Sequence, residues 1–243
     1  MAELIVALDV SSEREVERVV DLLDDAVSFY KIGLELFSVG GPGVVAAVKA
    51  RNKKVFLDLK LHDIPRTVER AVRAGASLGV DLMTIHAAGG GAMIRAAKEA
   101  ALACGDRAPK ILAVTVLTSL DQNDLTDIGV TRDVKAQVEV MGEFAFANGA
   151  DGIVCSPQEV RNMRTLLGPD ALLVTPGVRP AGADVGDQKR VTTPAQAVRD
   201  GSTHLVIGRP ILEAPDPRAA AMEINSMIVE SNRVESSRLD STR

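Results

Sequence analysis

Aromatic side chains are scarce in this chain of 243 residues: they make up 2% of it, with one Tyr and no Trp. Proteins that bind single-stranded nucleic acid commonly stack bases on aromatic rings, so the composition argues against such a platform. The formal net charge is −5 and no block of basic residues occurs, which argues against a broad nucleic-acid surface. The sequence therefore predicts no nucleic-acid partner, and a few well-placed cations must hold any anionic ligand.

Cysteines and long apolar runs are also few. The two cysteines, Cys104 and Cys155, lie far apart and lack a C-x-x-C or His-paired spacing, which argues against a disulfide or a zinc site. No apolar run approaches the roughly 18 residues of a membrane span. The amino-terminal sequence MAELIVALDV reaches the charged Asp9 too early for a signal peptide. We expect a cytoplasmic protein without a membrane partner.

What the chain does contain is a regular alternation of short apolar runs with amphipathic segments. Several of these segments begin at Ser, Thr, Pro or Gly and end at Gly, as helices do. Apolar strands alternating with amphipathic helices are typical of a parallel sheet covered by helices. The pattern predicts an α/β fold, a single (β/α)8 TIM barrel over residues 1–231, with an open doubly wound sheet as the alternative. Residues 232–243 are predicted to form a polar carboxy-terminal tail. Eight apolar runs begin at Leu4, Phe29, Lys54, Asp81, Lys110, Gly152, Leu172 and His204.

Polar residues stand at the predicted carboxyl ends of the strands, which is where TIM barrels carry their active sites. Asp58 and Lys60 are two residues apart, so strand alternation predicts that both point into the barrel mouth. A buried ion-pair network that only plugs the barrel is the alternative. Apolar residues would plug it as well, since desolvating charges can cost more than their attraction returns. The polar strand ends are Asp9, Lys31, Asp58, Lys60, His86, Thr118, Arg179 and Arg209.

Two further segments leave their roles open. Asp63 lies in the turn before a predicted helix, where capping beside Pro65 is its alternative role. The segment TSLDQNDLTDIG after the fifth strand is either a surface loop or a lid. The histidines are predicted to be structural: His62 by its outward direction, and His86 because no acidic or thiol partner is evident in the sequence.

The last two strand ends carry Gly and Arg together, in PGVRP and IGRP. Loops after the seventh and eighth strands of such barrels commonly bind phosphate, through backbone N–H groups beside Gly and the fork of an Arg. The alternative for Gly208 and Arg209 is a plain turn with a surface Arg. The Gly-rich residues 176–190 could form a flap that closes over a ligand, or a plain flexible loop.

The stretch DLKLHDIPRT, from Asp58 to Thr67, resembles the D-x-K-x-x-D signature of orotidine 5′-phosphate decarboxylases. Asp9, Lys31, Thr118, PGVRP, Gln188 and IGRP occur in that family's order, so the resemblance covers essentially the whole chain. It implies decarboxylation of orotidine 5′-phosphate to uridine 5′-phosphate without a metal or an organic cofactor. It also implies a homodimer whose active sites are shared between subunits.

The resemblance assigns a role to each matching residue. A charged tetrad would consist of Lys31, Asp58, Lys60 and Asp63, with Lys60 donating the proton to C6 of the pyrimidine. Asp63 and Thr67 would reach into the partner subunit's site. Substrate would be held at the ribose by Asp9, Lys31 and Thr67, at the pyrimidine by Thr118, at base and phosphate by Gln188, and at the phosphate by Arg179, Gly208 and Arg209.

Two other functions compete with this one. Ketogulonate-phosphate decarboxylases resemble the chain around D-x-K-x-x-D but place a Glu, a magnesium ligand, near the position of Lys31. A lysine opposes a divalent cation, so Lys31 discriminates between the two. A barrel that only binds a nucleotide or a sugar phosphate would need the arginines and glycines, but no Lys and Asp array aimed at the ring.

Overall fold

The computed structural model describes residues 1–179 and 192–241, with side chains described through residue 234. Its eight strands are parallel, and each is hydrogen-bonded to its sequence neighbours, with β8 closing onto β1. The predicted α/β (β/α)8 barrel is therefore confirmed. The strands are β1 (Glu3–Ala7), β2 (Phe29–Gly33), β3 (Lys54–Leu61), β4 (Leu82–His86), β5 (Lys110–Val114), β6 (Gly152–Val154), β7 (Leu172–Thr175) and β8 (His204–Ile207).

Helices follow the strands, and local signals fix where several of them begin. Ser12 caps α1 by accepting the N–H of Glu15, and Pro65 stands in the first turn of α3, where its missing N–H costs nothing. The helices are α1 (Glu13–Leu23), α2 (Leu34–Lys49), α3 (Pro65–Ser77), α4 (Gly91–Leu102), α5 (Gln122–Asp127), α6 (Val134–Ala147), α7 (Val160–Leu167), α8 (Pro194–Arg199), α9 (Arg209–Leu212) and α10 (Pro217–Ser241).

Two segments differ in detail from the simplest sequence pattern. The stretch after β5 contains the short helix α5, which begins at a capping box formed by Asp121 and Asp124. Helix α10 continues to Ser241, inside the predicted polar tail of residues 232–243. The division of the chain at residue 231 stays a prediction. In the part of the chain that the structure describes, no helix is long and apolar enough to cross a membrane.

The core has two layers, one inside the barrel and one between the strands and the helices. Alternation along each strand divides the side chains between them, so Phe56 belongs to the inner layer and Leu57 to the outer one. Asp58 follows Phe56 by two positions, so its side chain lies on the same inner face of β3, nearer the carboxyl rim. The inner layer consists of Ile5, Ala7, Phe29, Phe56, Leu82, Leu112, Val174 and Val206.

The opposite, amino-terminal rim is tied together by aspartates that precede β4 and β6. Asp81 accepts the N–H of Val55 at 2.8 Å and pairs with Lys49. Asp151 accepts the N–H of Ile111 at 2.9 Å and pairs with Lys98 in the same way. Each carboxylate links two strands and a helix, and these contacts stabilise the amino-terminal rim.

His204 also lies at the amino-terminal rim, where β8 begins. Its ring packs edge-on against Phe29 with centroids 5.9 Å apart, and its Nδ1 lies 2.9 Å from the Thr203 hydroxyl. Burial lowers the pKa of His204 to about 4, so the imidazole is neutral in the folded protein near neutral pH.

Candidate active site

A row of alternating charges crosses the carboxyl ends of the first three strands. Lys31 Nζ lies 3.6 Å from Asp9 Oδ1 and 4.0 Å from Asp58 Oδ2, while Lys60 Nζ lies 2.8 Å from the same Asp58 oxygen. The Asp58 side chain is 12% exposed and that of Lys31 is 14% exposed. Two cations thus flank one nearly buried carboxylate, and these contacts fix its orientation.

The barrel register produces this convergence. Ala7 pairs with Lys31, and Gly33 pairs with Asp58, so the strand ends that carry these side chains are adjacent. The structure therefore brings together four of the residues predicted from the sequence: Asp9, Lys31, Asp58 and Lys60.

The end of β3 departs from the simple alternation that the sequence predicted. The register advances from Leu57 opposite Met83 to Leu61 opposite Ile85, so four steps along β3 face two along β4. Within this irregularity Lys60 has φ 51°, a left-handed conformation that is uncommon for a residue with a side chain. Lys60 reaches Asp58 from a bulge, and not from a continued strand.

Thr84 in β4 completes the arrangement and was not singled out from the sequence. It is buried, its hydroxyl donates to Asp58 Oδ1 at 2.9 Å, and its Oγ1 accepts the backbone N–H of Lys60 at 2.8 Å. A signal was available: Thr84 is a polar residue two positions after the inward-facing Leu82 in an otherwise apolar run. Alternation places such a hydroxyl inside the barrel.

Two cavities meet at this row, and both are lined by Lys31, Asp58 and Lys60. The first, about 190 Å³, continues over apolar side chains of the barrel mouth to Thr118. The second, about 150 Å³, extends past Asp9 toward the start of α2. The charged row therefore stands between an apolar cavity that could enclose a planar ring and a polar one that could hold hydroxyl groups. The apolar lining of the first consists of Phe56, Val114, Val116, Leu117, Val154, Pro176 and Val206.

The predicted phosphate residues lie at the ends of β7 and β8. Gly208 precedes α9, and a Cβ atom there would stand 2.9 Å from Asp9 Oδ2, so only glycine fits without a shift. Arg209 is exposed and follows it directly. Arg179 is buried, and its Nη1 donates to the carbonyl of Val178 at 2.9 Å. Gly208 therefore borders the Asp9 end of the row.

Asp63, Thr67 and Gln188 are not placed in this cluster. Asp63 is exposed and its Oδ1 accepts the N–H of Ile64 at 2.6 Å. The alternative that Asp63 caps α3 is wrong, because the cap residue is Ile64 and no side-chain bond closes that end. Thr67 is exposed in the first turn of α3. Gln188 lies outside the described residues.

The structure gives His86 the neighbour that the sequence did not reveal. The rings of His86 and His62 lie 5.3 Å apart between centroids, beside the end of β3. Burial lowers the pKa of His86 below its ordinary value, and the nearby His62 and Lys60 lower it further, while Asp58 opposes them. Neutral His86 therefore adds no charge to the row near neutral pH.

Comparison with known proteins agrees with the geometry. The profile of the family described as "Orotidine 5'-phosphate decarboxylase / HUMPS family" matches residues 2–224. Orotidine 5'-phosphate decarboxylase of Moorella thermoacetica is 51% identical over 231 residues, covering 93% of this chain and 92% of that protein. The enzyme of the same name from Rhodopseudomonas palustris is 50% identical over 228 residues, covering 94% of this chain and 95% of the other.

A solved structure extends the similarity to three dimensions. The crystal structure of orotidine 5'-phosphate decarboxylase from Lactobacillus acidophilus superposes with a TM-score of 0.85 at 39% identity. It covers 94% of this chain and 99% of that one. Since profile, sequence and fold agree along almost the full length, this chain belongs to the orotidine 5'-phosphate decarboxylase / HUMPS family.

Proposed function

We propose that this chain catalyses the decarboxylation of orotidine 5′-phosphate to uridine 5′-phosphate, in the cytoplasm and without a metal or an organic cofactor. The observation that carries the proposal is the row of alternating charges at the meeting point of two cavities. Curated relatives about half identical to the chain bear the name of this enzyme, which supports the same reaction.

Lys60 would act at the reacting carbon. Loss of CO₂ from C6 of the pyrimidine leaves an electron pair in the plane of the ring, where no carbonyl delocalises it, so charge must be stabilised where it develops. The Lys60 ammonium is held by Asp58 at 2.8 Å and borders both cavities. It would stabilise that electron pair and then donate a proton to C6, leaving a neutral amine that solvent reprotonates.

Asp58 would lie next to the carboxylate of the bound substrate. Its oxygens contact the Thr84 hydroxyl and two ammonium groups, and these contacts restrict rotation of the carboxylate away from a bound anion. Two carboxylates held side by side repel each other, and departure of CO₂ relieves the repulsion. Lys31, at 4.0 Å from Asp58 Oδ2, would help to hold the carboxylate in place.

The rest of the nucleotide would lie along the Asp9 side of the row. Asp9 and Lys31 line the polar cavity and would accept from and donate to the ribose hydroxyls. Gly208 and Arg209, next to Asp9, would hold the 5′-phosphate together with Arg179. Thr118 lines the apolar cavity and would read the pyrimidine edge, with Gln188 bridging base and phosphate.

We further propose that the active unit is a homodimer with shared sites. Asp63 and Thr67 are exposed and lie just beyond the end of β3. A partner subunit that packs against this surface would receive Asp63 next to its own Lys60, completing a tetrad of Lys31, Asp58, Lys60 and Asp63. Thr67 would then contact the partner's bound ribose.

A metal-dependent sugar-phosphate reaction on the same barrel is the second candidate. The name of the matched family combines orotidine 5'-phosphate decarboxylase with a second group, HUMPS, so membership alone does not fix the reaction. Lys31 opposes it: the ammonium lies within 4.0 Å of both Asp9 and Asp58, where it would repel a divalent cation. In residues 1–179 and 192–234, no group of three or more His, Cys, Asp or Glu side chains is placed to hold a metal ion.

The test is a decarboxylation assay on the purified chain, which follows the loss of orotidine 5′-phosphate absorbance with and without a chelator. We expect turnover that the chelator leaves unchanged. Turnover that disappears with the chelator would favour the metal-dependent candidate. A chain that binds uridine 5′-phosphate yet shows no turnover would favour a barrel that only binds its ligand.

A further inference from the structure

Thr84 is joined to both members of the closest ion pair in the site. Its hydroxyl gives its proton to Asp58 Oδ1 at 2.9 Å, and the lone pair of its oxygen accepts the backbone N–H of Lys60 at 2.8 Å. Because Lys60 Nζ binds the other oxygen of Asp58 at 2.8 Å, the three residues form a closed ring of hydrogen bonds. A substitution that removes the Thr84 hydroxyl would therefore remove a hydrogen bond from both Lys60 and Asp58.

The backbone of Lys60 needs such a partner. At φ 51° the residue holds a conformation that costs about 1–2 kcal/mol for a side chain with a Cβ. The register between β3 and β4 is interrupted there, so the N–H of Lys60 binds a side chain where regular pairing would supply a carbonyl oxygen. The Thr84 hydroxyl thus stabilises the bulge that aims the ammonium.

The carboxylate of Asp58 depends on the same group. It is nearly buried, with its side chain 12% exposed, and Oδ1 takes the hydroxyl while Oδ2 takes the two lysines. Removing the hydroxyl would leave Oδ1 of this nearly buried side chain without its described donor. A buried charge in that state moves or recruits another donor.

We propose that Thr84 is a positioning residue for decarboxylation, one that sets the direction of the Lys60 ammonium and of the Asp58 carboxylate through a single hydroxyl. This inference rests on the function proposed above. Thr84 does not line either of the two cavities at the row, so its effect on the reaction passes through Lys60 and Asp58.

The test compares Thr84→Val, which keeps the shape and removes the hydroxyl, with Thr84→Ser, which keeps the hydroxyl. We expect Thr84→Val to lower kcat by about ten- to a hundredfold, the loss of one or two hydrogen bonds to a charged or buried partner, while KM changes less than about threefold. Thr84→Ser should retain kcat within about threefold of wild type, because both bonds can re-form.

A matched control separates positioning from plain stability. Thr175 is a buried threonine at the end of β7 whose hydroxyl lies 2.7 Å from that of Ser202, away from the row. Thr175→Val should lower the unfolding temperature about as much as Thr84→Val does and leave kcat within about twofold of wild type. If Thr84→Val does not fold, Thr84→Ala and Thr84→Ser serve as the second pair, since the smaller side chain creates no clash.

Three results would overturn the inference: wild-type kcat in the variants that lack the hydroxyl, an equal loss in Thr84→Ser, or a rise in KM with kcat unchanged. Each is read against wild-type turnover in the same assay. If the wild-type chain itself fails to decarboxylate orotidine 5′-phosphate, the proposed function has failed; if it turns over normally and the variants follow one of the three patterns, only the role of Thr84 has failed.

Discussion

The Lys60 ammonium and the Asp58 carboxylate, two residues apart in β3, lie 2.8 Å from each other across a bulge in their own strand. The side chain of Lys60 is 30% exposed and that of Asp58 is 12% exposed. The cation therefore faces the space where a ligand would bind, while the anion behind it is fixed. Such a pair holds the ammonium of Lys60, the proposed proton donor, in a fixed direction and leaves it accessible to a ligand.

Replacing Lys60 with alanine tests the proposed proton donor. We expect Lys60→Ala to lower kcat by at least about a thousandfold, because both the stabilising charge and the transferred proton are lost. Binding of uridine 5′-phosphate, measured by calorimetry, should persist. Lys54→Ala is the matched control, since Lys54 lies at the far end of the same strand and pairs with Glu3 at the surface. Near-normal turnover in Lys60→Ala would refute the mechanism.

The left-handed backbone at Lys60 predicts an unusual order of stabilities. Glycine adopts φ 51° without strain, so Lys60→Gly should be more stable than Lys60→Ala by about 1 kcal/mol in denaturant unfolding. Both variants lose the same ion pair, and their difference isolates the backbone. At Lys54, in regular strand, the order should reverse, with glycine the less stable by about 0.5–1 kcal/mol. The same order at both positions would contradict the assigned strain.

Shared active sites predict complementation between two inactive chains. A dimer of one Lys60→Ala chain and one Asp63→Ala chain holds one site with both wild-type residues. Equal mixing with free exchange should restore about a quarter of the wild-type sites. Lys60→Ala mixed with a chain that carries both substitutions should restore none. If subunit exchange is verified and activity still does not return, Asp63 does not serve the partner's site.

His204 predicts a pH-dependent contribution to stability. Its pKa is about 4 in the folded protein and near the ordinary 6.5 in the unfolded chain. Between these values the unfolded chain binds a proton that the folded protein does not. The contribution of His204 to stability therefore falls by up to about 3 kcal/mol as pH drops from 6.5 to 4, and it is constant above pH 6.5. His204→Gln should therefore show a shallower loss of unfolding free energy over this range than wild type. Equal slopes would argue against burial of a neutral imidazole.

The features that could be predicted from the sequence are those that follow from a local pattern of residues. Alternation along β3 placed Asp58 inside the barrel, and the order of strands brought Lys31 beside it. The conformation of Lys60 could not be predicted in this way, because the bulge arises from the register between β3 and β4, whose residues are about 25 positions apart in the chain. Alternation along β4 could place the Thr84 hydroxyl inside the barrel, but it could not identify the two partners of that hydroxyl, which belong to another strand.

Asp63 shows the opposite difficulty. Its position before Pro65 is typical of a helix cap, and local reasoning favoured that role, yet its carboxylate accepts only the adjacent N–H of Ile64 among the described contacts. In the dimer proposed above, the partner of Asp63 would belong to a second subunit, and the sequence of one chain carries no local signal for such a contact. Its exposure is the observation that a single chain can supply.

The formal charges of the row sum to zero, since it consists of Asp9, Lys31, Asp58 and Lys60. Because the row carries no net charge, its potential falls off faster with distance than that of a single ion, so the row exerts little attraction on a distant nucleotide. The chain as a whole, at −5, gives an anionic substrate no long-range attraction either. If Arg209 holds the substrate phosphate as proposed, ionic strength should weaken that exposed contact and have less effect on the proposed chemical step at the nearly buried Asp58.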